Sequence, residues 1–101
     1  MASIQDLERV ASQLRRDSLR MVHAVQSGHP GAALGCADYF ASLYFHTMHH
    51  HVDFKMDGIG EDLFFLSNGH LSAVFYSALA HAGYFDVKEL ATFRKLNSRL
   101  Q

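Results

Sequence analysis

Eight histidines in 101 residues are the side chains best placed to move protons near neutrality, because imidazole titrates there without special help. Two of them sit in turns suited to presenting a side chain. In Ser27-Gly28-His29-Pro30-Gly31, glycines permit a tight turn and close ligand approach, and Pro30 biases His29 toward extended backbone. The imidazole would project from a stiff loop beside a helix start, where anions and oxygen-rich ligands are favoured. The same residues would also serve as a helix–helix corner with an incidental histidine. The second segment, Ser67-Asn68-Gly69-His70, follows an apolar run and opens a helix. Ligands of open α/β sheets collect at the carboxyl ends of strands, and free N–H groups at helix starts bind phosphate. Equally, Ser67 or Asn68 would act as an ordinary N-cap with His70 in the first turn.

Other polar groups point less clearly to chemistry. His46 and His50 are four apart, a helical spacing that can chelate a transition metal. No carboxylate or cysteine completes a site beside them, so His46, His49, His50 and His51 read as a solvated helix end and no metal site is assigned. Asp57-Gly58-Ile59-Gly60-Glu61-Asp62 lacks the spacing of a calcium-binding EF-hand loop and reads as a connection. Cys36 has no activating motif nearby and is expected in core packing. Asp38 is expected to be buried and to need a partner that the sequence does not name.

These residues must be positioned by a short series of elements. Leu7, Val10, Leu14, Met21, Val22 and Val25 recur at helical spacing, with Ala11 and Ser18 on the same face, so a first helix is expected over about Asp6 to Gln26. Ser3-Ile4-Gln5-Asp6 supplies a capping signal. Gly28 to Gly31 stop that helix, and Pro30 suits the first position of the next. The second, about Ala32 to Met48, is apolar nearly all round and is expected to be buried on several sides. Leu63-Phe64-Phe65-Leu66 is too short for a helix and suits a strand buried on both faces. Helices over Leu71 to Ala82 and Val87 to Asn97 follow, the last entered through Asp86 as cap. The expected class is α/β in the order helix-helix-strand-helix-helix, predominantly helical. One strand cannot satisfy its own edges, since unpaired buried backbone groups each cost on the order of 1–3 kcal/mol. Its neighbours must come from further chain or another subunit, so residues 1–101 read as part of a domain.

Composition narrows the functional classes. The chain is 49% hydrophobic, the balance of an ordinary globular protein. Nine Lys and Arg against ten Asp and Glu leave no bulk attraction to nucleic acid or an anionic membrane. Arg15, Arg16 and Arg20 are expected on a solvated helix face. The one cysteine forbids an internal disulfide and fits a reducing cytoplasm. No signal-peptide core is visible, and the apolar stretch after Met21 is interrupted at Ser27 to Gly31, which makes a poor membrane span.

Taken together, Ser27-Gly28-His29-Pro30-Gly31, an apolar helix, Asp62-Leu63-Phe64-Phe65-Leu66-Ser67-Asn68-Gly69-His70 and the closing stretch from Tyr84-Phe85 through Phe93-Arg94, Leu96 and Ser98 resemble the start of a transketolase. The resemblance covers roughly Arg15 to Gln101. It implies a dimeric enzyme holding thiamine diphosphate and a divalent metal (Mg or Ca). It further implies transfer of a two-carbon ketol unit between sugar phosphates, with the cofactor carrying the electron chemistry. His29 matches the family's substrate-contacting histidine, which aids proton movement and is therefore the catalytic candidate. His70 matches the histidine lying against the cofactor, in a loop built by Ser67, Asn68 and Gly69.

The departures matter equally. The family's Gly-Asp-Gly metal loop, its later substrate-binding histidines and arginines, and the glutamate that activates the cofactor do not occur here. The resemblance therefore implies an N-terminal segment of the diphosphate-binding domain, inactive alone and binding no cofactor alone. It would complete its site with the rest of the enzyme or a second subunit. A fragment of a deoxyxylulose-phosphate synthase, or a small helical interaction module without catalysis, are the alternatives.

Overall fold

The computed structural model describes residues 3–53, 55 and 57–101. Its first element, α1 (Ile4–Val25), begins where the sequence signals it. Ser3 Oγ accepts from the Asp6 backbone N–H at 3.1 Å, and the Asp6 carboxylate accepts in return from Ser3 N–H at 3.2 Å. This reciprocal capping box satisfies two donors that a helix start leaves orphaned. The hydrogen bond from the Ser3 backbone, ahead of the others, holds the Asp6 carboxyl below the usual aspartate range. Ala11, Leu14, Ser18 and Met21 are buried along one face, as the periodicity requires. Gln26 ends the helix in the left-handed region.

α2 (Pro30–Ser42) starts at Pro30 itself, with His29 as its N-cap residue. It is shorter than expected. From Leu43 to Thr47 the chain winds as a π-turn before extending at Met48. Its burial also differs from expectation. Ala33, Ala37, Phe40 and Ala41 are buried, but Tyr39 is 60% exposed, and Cβ atoms added at Gly31 or Gly35 would touch nothing. The small residues let α1 pack on one side and leave the other face open. Asp38, expected to be buried, lies on that outer side and pairs with Arg15 at 2.7 Å. Arg15 also donates to the Leu34 carbonyl, so it staples α1 to α2 and is not a merely solvated charge. Cys36 packs against the core, as expected.

The clearest departure is at Leu63–Leu66, where the described residues form no strand. The segment is irregular, and no backbone partner is recorded for it among the described residues. Phe64 turns inward onto Phe40 and Phe75, with ring centroids 5.5 Å away in each case, while Phe65 is 73% exposed. The exposure of Phe65 also departs from the burial on both faces that was expected. A strand needs a neighbour to take up its N–H and C=O groups, and these residues contribute none.

A single 3-10 turn (Gly69–Leu71) leads into α3 (Ser72–His81), whose Ala73, Val74, Ser77 and Ala78 meet α1 and α2. The expected fourth α-helix over Val87–Asn97 is instead a 3-10 helix, Val87–Thr92. Asp86 caps it through the Lys88 N–H, as anticipated. Phe93 then leaves helical conformation, and Arg94 and Asn97 take positive φ. Burying the Phe93 ring, 1% exposed, pulls the chain out of its helical path. No helix among the described residues is long and apolar enough to cross a membrane.

Candidate active site

The two histidine-bearing turns converge. The His29 and His70 rings have centroids 4.3 Å apart at an interplanar angle of 75°, an edge-to-face pair, and both residues are exposed. His29 caps α2 through its backbone only, its carbonyl accepting from Ala33 N–H at 3.3 Å. Its imidazole makes no capping bond and stays free for other work. Pro30 cannot donate at the helix start, which leaves the loop conformation to Gly28, at φ +132°.

His70 is oriented by Asn68. The Asn68 side-chain oxygen accepts from the His70 backbone N–H at 3.1 Å and lies 2.8 Å from His70 Nδ1. Because the backbone contact identifies that atom as the acceptor, Nδ1 carries the proton. In the neutral ring Nε2 is then the nitrogen with a free lone pair. An Asx-type turn of this kind is the signal, visible in Asn68-Gly69-His70, by which the orienting role could have been read. Asn68 is thus the N-cap that the sequence offered as one of two candidates, with His70 in the first turn.

The other histidines go elsewhere. His50 Nε2 donates to the Tyr44 carbonyl at 2.7 Å, so Nδ1, 3.0 Å from the Tyr84 hydroxyl, accepts that proton in the neutral ring. Both nitrogens are thus committed and unavailable for a chelate with His46. Burial, with a smaller contribution from Tyr84, pushes the Tyr44 phenol up to about 12. Burial and then the Glu61 charge push Tyr84 upward as well. The acidic glycine loop is a clip. The two oxygens of the buried Glu61 carboxylate accept from His51 and Lys55 N–H groups at 3.3 and 3.2 Å, and Asp62 accepts from His49 N–H at 2.9 Å. Among the described residues no group of three His, Cys, Asp or Glu is placed to hold a metal.

A buried polar cluster without any signature in the sequence lies between α1 and α3. Asp17, 7% exposed, accepts from Gln13 Nε2 at 2.9 Å and Ser77 Oγ at 3.0 Å, and pairs with His81 Nε2 at 2.6 Å. The Ser77 hydroxyl donates to the Asp17 carboxylate and not to the His81 imidazole, so the cluster is a helix clamp without the geometry of a nucleophile and base.

For thiamine diphosphate the fit is partial. An exposed imidazole pair, with the His29 ring and His70 Nε2 left free among the described residues, suits contact with a polar cofactor and its substrate. The cofactor's anionic groups and a metal would need ligands of another kind.

The chain is similar to known proteins over nearly its whole length. Residues 7–101 match the family model described as transketolase, thiamine diphosphate binding domain. The chain is 40% identical to transketolase 2 of Saccharomyces cerevisiae over 98% of its length, and 35% identical to the transketolases of Mus musculus and Homo sapiens over 96%. It spans only 14 to 15% of the length of these relatives. On this match the chain belongs to the transketolase family, within its thiamine diphosphate binding domain.

Proposed function

We propose that residues 1–101 form the N-terminal part of the diphosphate-binding domain of a transketolase. The complete enzyme would transfer a two-carbon ketol unit from a ketose phosphate to an aldose phosphate. The observation that carries this reading is the 4.3 Å approach of His29 to His70 across two separate turns. In this reading His29 is the catalytic residue, exchanging a proton with substrate hydroxyls, a task suited to an imidazole near neutrality. His70 binds the cofactor, its free Nε2 available because Asn68 holds the Nδ1 proton. Thiamine diphosphate, when bound, supplies the electron sink that no side chain offers. A divalent metal, Mg or Ca, and the diphosphate anchors would come from outside these residues. So would the strands that complete an α/β sheet around Leu63–Leu66. A homodimer in the cytoplasm acting on sugar phosphates follows from the same family reading.

The test is made in the complete enzyme. His29→Ala should lower ketol transfer by about 10²–10⁴-fold, the usual contribution of a positioned acid–base group, with thiamine diphosphate affinity nearly intact. His70→Ala should weaken cofactor binding together with turnover. Wild-type kinetics and cofactor titration in both variants would remove the assignment.

A further inference from the structure

The His29 loop is held in place by a residue 67 positions away in sequence, the Arg94 guanidinium, whose Nη1 donates to Ser27 Oγ at 2.8 Å. Ser27 is fixed on its other side by α1, its backbone N–H donating to the Val22 carbonyl at 3.2 Å. Arg94 is itself anchored. Its N–H donates to the Leu100 carbonyl at 2.6 Å, and its guanidinium lies 5.4 Å from the centroid of the Phe93 ring. Phe93 is 1% exposed and packs edge-on against Tyr76 of α3, with centroids 6.1 Å apart. The same ring approaches Gly28, where an added Cβ would lie 3.7 Å from Phe93 Cε2. α3 is the helix that His70 opens. The chain of contacts therefore runs from the His70 helix through Tyr76, Phe93 and Arg94 to Ser27 and the His29 loop.

We propose that Arg94 and Ser27 form a clasp that sets the distance between the His29 and His70 imidazoles, making Arg94 a positioning residue for the site. The proposal rests on the reading of that pair as the working groups. The backbone supports a dedicated arrangement, because Arg94 takes φ +55°, a conformation that costs a non-glycine residue on the order of 1 kcal/mol or more. An arginine fork also fixes its hydrogen-bond direction better than a lysine would.

The clasp is tested on the chain by NMR, reading the proton–proton NOE between the two imidazoles and the ring-current displacement of their carbon-bound protons. Arg94→Gly is the first variant, since glycine keeps the positive φ and removes only the side chain. Ser27→Ala removes the other partner, and Ser27→Thr restores a hydroxyl. A loosening of ~0.5 Å, enough to spoil a preorganised site, weakens such an NOE to roughly half. We expect that loss in R94G and in S27A, no further loss in the double variant, and recovery in S27T, while the methyl resonances of Leu14 and Val74 stay native. An unchanged NOE in R94G and S27A with native core resonances overturns the proposal. So do additive losses, or a wild-type chain with no His29–His70 NOE. This readout involves no turnover, so the clasp can fail while the transketolase reading stands, and the kinetic test above can fail while the clasp stands.

Discussion

At the scale of single residues, chemistry was legible where a residue type and its backbone requirement coincide. His29 and His70 stood out because glycine and proline, or asparagine and glycine, surround them, and both were found beside each other. What stayed hidden were side-chain contacts across long sequence separations: Asn68 choosing the His70 tautomer needed only two residues of context, but Asp17 meeting Ser77 and His81 needed sixty. Gly28 belongs to the legible group and gives a sharp prediction. Its φ of +132° disfavours any side chain, and an added Cβ would lie 2.8 Å from Val22 Cγ2. Gly28→Ala should therefore destabilise the chain by about 2–4 kcal/mol, combining backbone strain with overpacking. Adding Val22→Ala should recover only the part due to the clash. Urea titration measures both, and a Gly28→Ala chain as stable as the parent would mean the turn is not built as described.

Among elements, α1 was readable to within two residues because capping, periodicity and burial all agree on it. The segment after Asp86 was not. Its Asp86 cap was visible, but helical spacing over Val87–Asn97 could not show that the chain turns away at Phe93 to bury that ring. The pairing of α1 with α3 is another element property that no local pattern announces. It rests on Asp17, and the consequence of removing it can be placed against a surface pair. Asp17→Ala leaves Ser77 Oγ, fully buried, and the largely buried His81 ring without their acceptor. A loss of about 2–4 kcal/mol follows from the cost of stranding buried polar groups. Asp38→Ala removes the Arg15 pair, whose carboxylate is 72% exposed, and should change stability by no more than about 1 kcal/mol. Equal effects from the two substitutions in urea unfolding would show that Asp17 is not the clamp.

At the scale of the whole molecule, the proposed α/β domain requires a sheet that the described residues do not form. The sequence marks Leu63–Leu66 as a strand buried on both faces, and the fold departs from that reading, turning Phe64 inward but leaving Phe65 in solvent. Pairing was not legible, because a ladder is a property of two segments and only one is present among these residues. Beside the run lies a groove of about 220 Å³ whose wall includes Tyr44, Met48, Phe75 and Leu79. On the proposed reading, this apolar groove, flanked by backbone groups without partners among the described residues, is the surface against which further strands would be added. Amide exchange reads this directly. In the chain by itself the Leu63, Phe64, Phe65 and Leu66 amides should exchange close to the rate of an open backbone, while those of Leu14 and Val74, inside packed helices, are protected. In a longer polypeptide that supplies the neighbouring strands, the same four amides should slow by at least roughly a hundredfold, the protection of a paired core strand. The comparison separates the two architectures without reference to activity. Strong protection of Leu63–Leu66 in the 101-residue chain would mean that the segment already has its partners, and the α/β domain built around it would have to be abandoned.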